Sequence, residues 1–219
     1  VELTHGRKTR FRTPDNVLRE IEQLVKKFGT NFIVFNDSTF TISKDRVQEI
    51  VKGLPGIGIE GYSVNAHVNT VDETMVKTLR DTGCFKIMFG VESGSDRVLK
   101  VIKKNSTQER ILKAVNMSKK AGIPQVETCF ILGADIHETE EDVRQTEGLI
   151  RKLSPDLLGL GIITPFPGTE QYVQMKELGL FENVTWNDFQ IFSETAPPWR
   201  TANFSAEELV TIRNKILKS

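Results

Sequence analysis

The sequence predicts an α/β fold with a parallel sheet of the barrel type. Five short apolar runs, near residues 31–36, 59–65, 85–91, 126–132 and 157–163, alternate with amphipathic segments of helical length. Strands that alternate with helices at this spacing indicate βα units, and right-handed crossovers then place the helices on the outside. The 219 residues suffice for one α/β domain but are fewer than a full eight-stranded barrel normally uses.

Helix caps define the first two βα units. Thr13 as N-cap and Pro14 at the first helical position begin a helix whose apolar stripe ends at Gly29. After the first strand, Ser43 caps a second helix, which the stretch 53–58, rich in glycine and proline, ends. Each strand in this part of the chain is therefore bracketed by helices.

The later helices follow the same logic. Asp72, Asp96 and Thr107 begin three helices around the third strand, and the acidic turn after Thr139 begins the helix that follows the fourth strand. A last core helix, through Leu178, follows the fifth strand. We therefore expect a core over residues 1–179.

The C-terminal part departs from this pattern. Residues 180–219 are expected to form a flap and a final helix on the same domain, with a capping box beginning at Ser205. One further strand is predicted at 189–192. The region holds Trp186 and Trp199, which would either contact a substrate or cover the barrel as an aromatic plug.

Composition excludes several classes of protein. Lysine plus arginine equals aspartate plus glutamate, at 29 each, which argues against an obligatory nucleic acid partner. No apolar run has the length of a membrane span. Cys84 and Cys129 are far apart and form no CxxC motif, so this chain alone supplies no sulfur-ligated metal site and fits a reducing, cytoplasmic setting. Both cysteines are expected to be small buried hydrophobes.

Polar groups follow the apolar runs. The runs end, in chain order, at Asn36 to Thr39, Asn65 to His67, Glu92 to Ser95, Gly133 to Asp135 and Thr164 to Thr169. The carboxyl ends of parallel strands open onto one face of a barrel, and that face carries the chemistry. These groups therefore predict a site.

Individual residues leave alternatives open. Glu92 directly follows an apolar strand and is flanked by glycines, which suits a ribose diol or an ammonium group; the alternative is a salt bridge to a neighbouring strand. Asp37 could equally cap or turn the chain. His5, His67 and His137 have no metal-ligand spacing and are expected to be surface or rim histidines.

Six segments of the chain, taken in their order and spacing, resemble the radical S-adenosylmethionine (SAM) enzymes. The resemblance is closest to the branch often fused to a cobalamin-binding domain, which includes proteins like the anaerobic Mg-protoporphyrin ester cyclase. The segments are Gly6 to Val17, Asn36 to Phe40, Ser63 to His67, Gly90 to Ser95, Phe130 to Gly133 and Thr164 to Thr169.

The resemblance implies roles for particular residues. Glu92 and Ser93 would belong to the motif that binds the ribose. Asp37 and Ser38 would lie near the methionine end of SAM. The remaining implied site residues, beside the adenine or at the same mouth, are Phe130, Ile131, Gly133, Asn65 and Thr164.

The departures from the family are also informative. The CxxxCxxC loop, whose thiolates hold a [4Fe–4S] cluster, is absent, and by register Val1 falls just after its third cysteine. The resemblance therefore implies an incomplete parallel (β/α)6 TIM-like barrel that lacks its first strand. Residues 134–139 also replace the family's usual Leu-Pro-Gly-Glu-Thr. An unpaired sheet edge would invite dimerisation.

For a complete parent protein the resemblance implies reductive cleavage of SAM by a [4Fe–4S] cluster, which starts radical chemistry on a small-molecule substrate. A tetrapyrrole-type oxidative cyclisation is one candidate reaction, and cobalamin in a separate domain is an implied further cofactor. The 219 residues by themselves would be inactive. Two alternatives remain: an aldolase or hydrolase that uses Asp37 and Glu92 as an acid–base pair, and a binding module that keeps only the fold.

Overall fold

The computed structural model describes residues 9–190 and 195–218. Gly6, Arg7 and Lys8 of the N-terminal segment discussed above lie outside the described residues. The strands are β1 (Phe32–Phe35), β2 (Gly61–Ala66), β3 (Cys84–Glu92), β4 (Gln125–Leu132) and β5 (Leu157–Ile162). The helices are α1 (Pro14–Phe28), α2 (Lys44–Gly53), α3 (Glu73–Asp81), α4 (Asp96–Val101), α5 (Gln108–Lys120), α6 (Glu140–Leu153), α7 (Glu170–Glu177) and α8 (Ala206–Leu217).

The five strands form one sheet in the order β1-β2-β3-β4-β5, and every neighbouring pair is parallel. This confirms the predicted α/β class with a parallel, barrel-like sheet. The strand bounds differ from the predicted ones by at most two residues. The sheet is open, with β1 and β5 as its edges, and the carboxyl ends of all five strands lie on one side.

The predicted caps explain where the helices begin. Thr13 accepts a hydrogen bond from the backbone of Asn16, and Gly29 ends α1 with a left-handed φ of 64°. Thr139 forms a capping box with Asp142 at the start of α6. Local capping therefore determines where these helices begin and end.

The two faces of the sheet differ. Ile87, Phe89 and Val126 are fully buried in the core beneath the helices. Their alternating neighbours form the opposite face, called the inner face below, which includes the half-buried Lys86 and Glu127, joined by an ion pair of 2.8 Å. The half-barrel is therefore accessible from its inside.

The C-terminal region lies over the carboxyl end of β5. Trp199 is 3% exposed and its indole Nε1 donates to the carbonyl of Ile163 at 2.9 Å, as expected for a plug. Trp186 is 80% exposed. Phe189 and Gln190 form no strand, and residues 191–192 of the predicted strand lie outside the described residues. None of the helices described has the length and apolar character that crossing a membrane requires.

Candidate functional site

The ends of β1 and β2 are joined by a side chain that the sequence singled out. The Asn65 amide Nδ2 donates to the backbone carbonyl of Asp37 at 3.0 Å. Asp37 is half-buried and Ser38 is exposed. These three predicted site residues therefore come together at one end of the open edge, although they do not line the cavity around Glu92 that is described below.

Glu92 stands at the end of β3 in an unusual backbone conformation. Its φ is +72°, and the pairing between β3 and β4 shifts between Gly90 and Glu92, as in a β-bulge. Its carboxylate Oε1 accepts a charge-assisted hydrogen bond from Lys104 Nζ at 2.7 Å. The partner is thus in the connection between α4 and α5, and not on a neighbouring strand.

The connection that carries Lys104 is held by His67. His67 Nδ1 accepts from the backbone N–H of Asn69 at 3.1 Å, so Nε2 carries the proton and donates to the Lys104 carbonyl at 3.2 Å. Partial burial, together with the nearby Lys104 charge, lowers the pKa of His67. His67 is therefore a satisfied rim histidine, as predicted, which positions Lys104.

A cavity of about 550 Å³ opens beside Glu92. Its walls include Ile131, the loop 134–136, Ile163 and Gln171. Gln171 Nε2 donates to the carbonyls of residues 133 and 134 at 3.2 and 3.1 Å, and so ties α7 to this loop. The Glu92 carboxylate, which Lys104 holds from outside the lining, therefore faces a cavity with both apolar and polar walls, and the size of this cavity is typical of small-molecule sites.

Three predicted site residues do not present their side chains to this cavity. Phe130 is 1% exposed and packs in the core beneath the helices, so only its backbone is near the inner face. Ser93 is fully buried, with its hydroxyl 3.2 Å from Thr146 Oγ1. Thr164 lines a separate cavity of about 680 Å³ and donates to the carbonyl of Gln190 at 2.9 Å. Ile163 lines both cavities.

Sequence reasoning missed two functional candidates. Lys104 lies between Lys103 and Asn105, which both have positive φ, and local sequence gave no sign that this turn would direct the lysine at Glu92. Glu138 is fully buried, and its Oε2 accepts from the Gly133 backbone N–H at 2.6 Å. Burial raises the pKa of Glu138 to about 7. The only signal for Glu138 in the sequence was the position of an acidic residue five residues after Gly133, the glycine that follows β4.

The cysteines do not form a cluster site. Cys84 is buried beneath the helices, and burial raises the pKa of its thiol to about 12. Cys129 lies half-buried on the inner face, contrary to the prediction that both would be buried, and burial raises its pKa to about 11. A [4Fe–4S] cluster takes thiolate ligands, and the described residues contain no group of three metal-ligating side chains. The residues of this chain do not fit the cluster.

The chain is similar to several proteins of known name. It is 29% identical over 214 residues to an uncharacterised methyltransferase of Pyrococcus horikoshii, covering 97% of this chain and 46% of the relative. It is 28% identical over 192 residues to the anaerobic magnesium-protoporphyrin IX monomethyl ester cyclase of Rubrivivax gelatinosus, covering 86% of this chain and 33% of the relative. The chain thus spans less than half the length of these relatives.

A solved structure shows the same fold. The radical SAM methyltransferase TsrM from Kitasatospora setae, with cobalamin and a [4Fe–4S] cluster bound, superimposes with a TM-score of 0.68 at 19% identity. The match covers 90% of this chain and 40% of TsrM. Residues 4–150 also match the family model of the Radical SAM superfamily, which uses SAM and a [4Fe–4S] cluster as cofactors. The chain therefore belongs to the radical SAM superfamily.

Proposed function

We propose that this chain forms the SAM-binding part of a radical SAM enzyme. The observation that carries the proposal is Glu92, held by Lys104, in the wall of a cavity whose other walls include the apolar Ile131 and Ile163. SAM has a matching distribution of groups, since a ribose diol and a charged amino acid end accompany an apolar nucleobase face.

The acid and the lysine have different roles at this site. A carboxylate accepts hydrogen bonds from the two ribose hydroxyls, which suits Glu92. Lys104 does not line the cavity, and its ammonium group positions the Glu92 carboxylate through their ion pair. Ile131 and the backbone of loop 134–136 would contact the adenine. Asp37, Ser38 and Asn65 would face the methionine end from β1 and β2.

The reaction of the whole protein extends this proposal. Residues outside this chain would hold the [4Fe–4S] cluster, which would supply the electron for SAM cleavage. The 219 residues alone would then bind the cofactor without cleaving it. We propose a small molecule as the substrate and the cytoplasm as the setting, and the balanced charge does not favour nucleic acid.

The relatives suggest the kind of substrate. Their names include magnesium-protoporphyrin cyclases and bacteriochlorophyllide methyltransferases, which favours tetrapyrrole chemistry among the candidates. Cobalamin in a separate domain would be a further cofactor, since the TsrM structure holds it. An aldolase or hydrolase that pairs Asp37 with Glu92 is not favoured, because residues 4–150 match the Radical SAM family.

Calorimetric titration with S-adenosylhomocysteine tests the binding site. We expect saturable binding to the wild-type chain, and loss of binding by about tenfold or more in Glu92→Gln, because a charged hydrogen-bond acceptor is removed. Glu127→Gln is the matched control, since it neutralises an acid on the inner face that does not line the cavity. Equal affinity in the wild type and Glu92→Gln would refute the assigned site.

A second experiment tests the activity. The protein expressed at its full encoded length and reconstituted anaerobically with iron and sulfide should form 5′-deoxyadenosine from SAM. The 219-residue chain under the same conditions should form none. A full-length protein that binds S-adenosylhomocysteine and yields no deoxyadenosine would leave a binding module as the function.

A further inference from the structure

We propose that the contact between Ser93 to Ser95 and the start of α6 is a positioning device for the ligand cavity. This contact, called the α6 clasp below, consists of Ser93, Gly94, Ser95, Asp142 and Thr146. It holds Glu92 in its left-handed conformation and sets the carboxylate relative to the loop 134–136. The inference rests on the proposed function only in naming a nucleoside ligand for that cavity.

Thr146 holds the first half of the clasp. Its Oγ1 accepts the backbone N–H of Gly94 at 2.9 Å and lies 3.2 Å from the Ser93 hydroxyl. The approach is close enough to require glycine, because a Cβ at residue 94 would lie 2.5 Å from Thr146 Cα and 2.6 Å from the Gln145 carbonyl. The two residues that follow Glu92 are thereby fixed against α6.

Asp142 holds the second half and also reaches the loop. Its Oδ1 accepts from the Ser95 hydroxyl at 2.6 Å, and Arg97 donates to both of its oxygens, at 3.1 and 2.6 Å. The same guanidinium donates to Asp135 Oδ2 at 2.7 Å. Asp135 belongs to the loop that lines the cavity. Arg97 and the buried Asp142 thus connect the turn after Glu92 with the loop 134–136, which also lines the cavity.

The charge state of the clasp is stable at neutral pH. Burial alone would raise the pKa of Asp142, but hydrogen bonds from Arg97, Ser95 and Thr139 outweigh it and hold this pKa well below its usual range. The side chains of Asp135 and Asp142 are each only 5% exposed, so solvent screens their ion pairs with Arg97 poorly on the carboxylate side. The connection is therefore a fixed feature of the folded protein.

The backbone of Glu92 explains why such a device is needed. A left-handed φ is unfavourable for a residue with a Cβ, and it persists where the surroundings determine it from several sides. The next three residues are all bonded to α6, and Lys104 holds the Glu92 carboxylate from the other direction. Without the clasp, Glu92 would relax toward an ordinary strand conformation and direct its carboxylate elsewhere.

Thr146→Val tests the inference, because it keeps the volume of the side chain and removes the hydroxyl. Thr146→Ser restores the hydroxyl and is the conservative rescue. Thr128→Val is the matched control, since Thr128 is equally buried but its hydroxyl has no hydrogen-bond partner within the described residues. Hydrogen exchange followed by mass spectrometry in the ligand-free chain is the first measurement, and S-adenosylhomocysteine affinity is the second.

We expect Thr146→Val to speed exchange about tenfold in the peptide 92–95 and to leave exchange in β2 unchanged, because the buried Gly94 N–H loses its acceptor. Its ligand affinity should fall about tenfold, and Thr146→Ser should recover both. Unchanged exchange at 92–95, unchanged ligand affinity, or equal effects from Thr128→Val would overturn the inference. Absence of ligand binding in the wild type would count against the proposed function, while the exchange result would still decide the role of the clasp.

Discussion

Glu138 makes a large and testable contribution to the pH dependence of stability. Its carboxyl is fully buried, Oε2 accepts from the Gly133 N–H, and Oε1 has no hydrogen-bond partner within the described residues. Burial is the main cause of its raised pKa, and the nearby Asp142 and Asp135 add to the effect while Arg97 opposes it. Glu138→Gln removes the ionisation and keeps an oxygen that can accept from Gly133.

The sign follows from proton binding in the two states. The Glu138 pKa is about 7 in the folded state and 4.5 in the unfolded state. Below pH 4.5 the group is neutral in both states. Between pH 4.5 and 7 only the unfolded state releases the proton, so the free energy of unfolding falls as pH rises. Above pH 7 the full cost is present, about 3 kcal/mol at 1.36 kcal/mol per pKa unit.

Urea unfolding at pH 4.5 and pH 8 measures this contribution. The difference in unfolding free energy between Glu138→Gln and the wild type should shift by about 3 kcal/mol in favour of the variant at the higher pH. The free energy cost of burying the amide of the variant is the same at both pH values, so it cancels when the two differences are compared. The contributions of the other titrating groups cancel between the variant and the wild type. Glu177→Gln, an exposed acid on α7, is the control. A difference that does not vary with pH would refute the reasoning.

Three further predictions follow from single contacts. Lys104→Met should weaken S-adenosylhomocysteine binding about tenfold in calorimetry, because it leaves the Glu92 carboxylate without the partner that positions it. Gly94→Ala should lower the free energy of unfolding in urea by about 2 to 3 kcal/mol, because the new Cβ overlaps the α6 backbone. Iodoacetamide should label Cys129 on the inner face faster than the buried Cys84, as read by mass spectrometry at pH 9.

Each of these has its own control. Lys100→Met neutralises an exposed lysine on α4 and should leave the affinity unchanged; a parallel loss there would indicate a nonspecific charge effect. Gly148→Ala in α6 meets no atom within 4 Å and should stabilise the chain by about 0.5 to 1 kcal/mol, the opposite sign to Gly94→Ala. Equal labelling of both cysteines would show that the inner face is not selectively accessible.

Much of the fold was predictable because its signals are local. Capping residues such as Thr13 and Thr139 specify where helices begin through hydrogen bonds within one turn. Apolar runs of strand length between helices imply parallel βα units, and parallel strands bring their carboxyl ends to one edge. The position of Asp37, Asn65 and Glu92 at that edge could therefore be predicted from the sequence.

The site was only partly predictable, because side-chain direction depends on details that packing decides. The β-bulge before Glu92 and its left-handed φ redirect the carboxylate toward Lys104, twelve positions further on. Ser93 belongs to the same motif, yet its hydroxyl turns into the protein against Thr146. Sequence spacing cannot predict which of the two side chains faces the cavity, since a β-bulge exchanges the inward and outward positions of the residues that follow it.

The sequence by itself determined the order of the elements, the parallel sheet and the resemblance to the radical SAM enzymes, because periodicity, capping and motif order are all encoded along the chain. Only the tertiary structure decided which polar groups share the Glu92 cavity and which support it from behind. Asp142 accepts from the Ser95 hydroxyl, which lies forty-seven positions away in the chain, and this contact exists only after α6 has packed on the sheet.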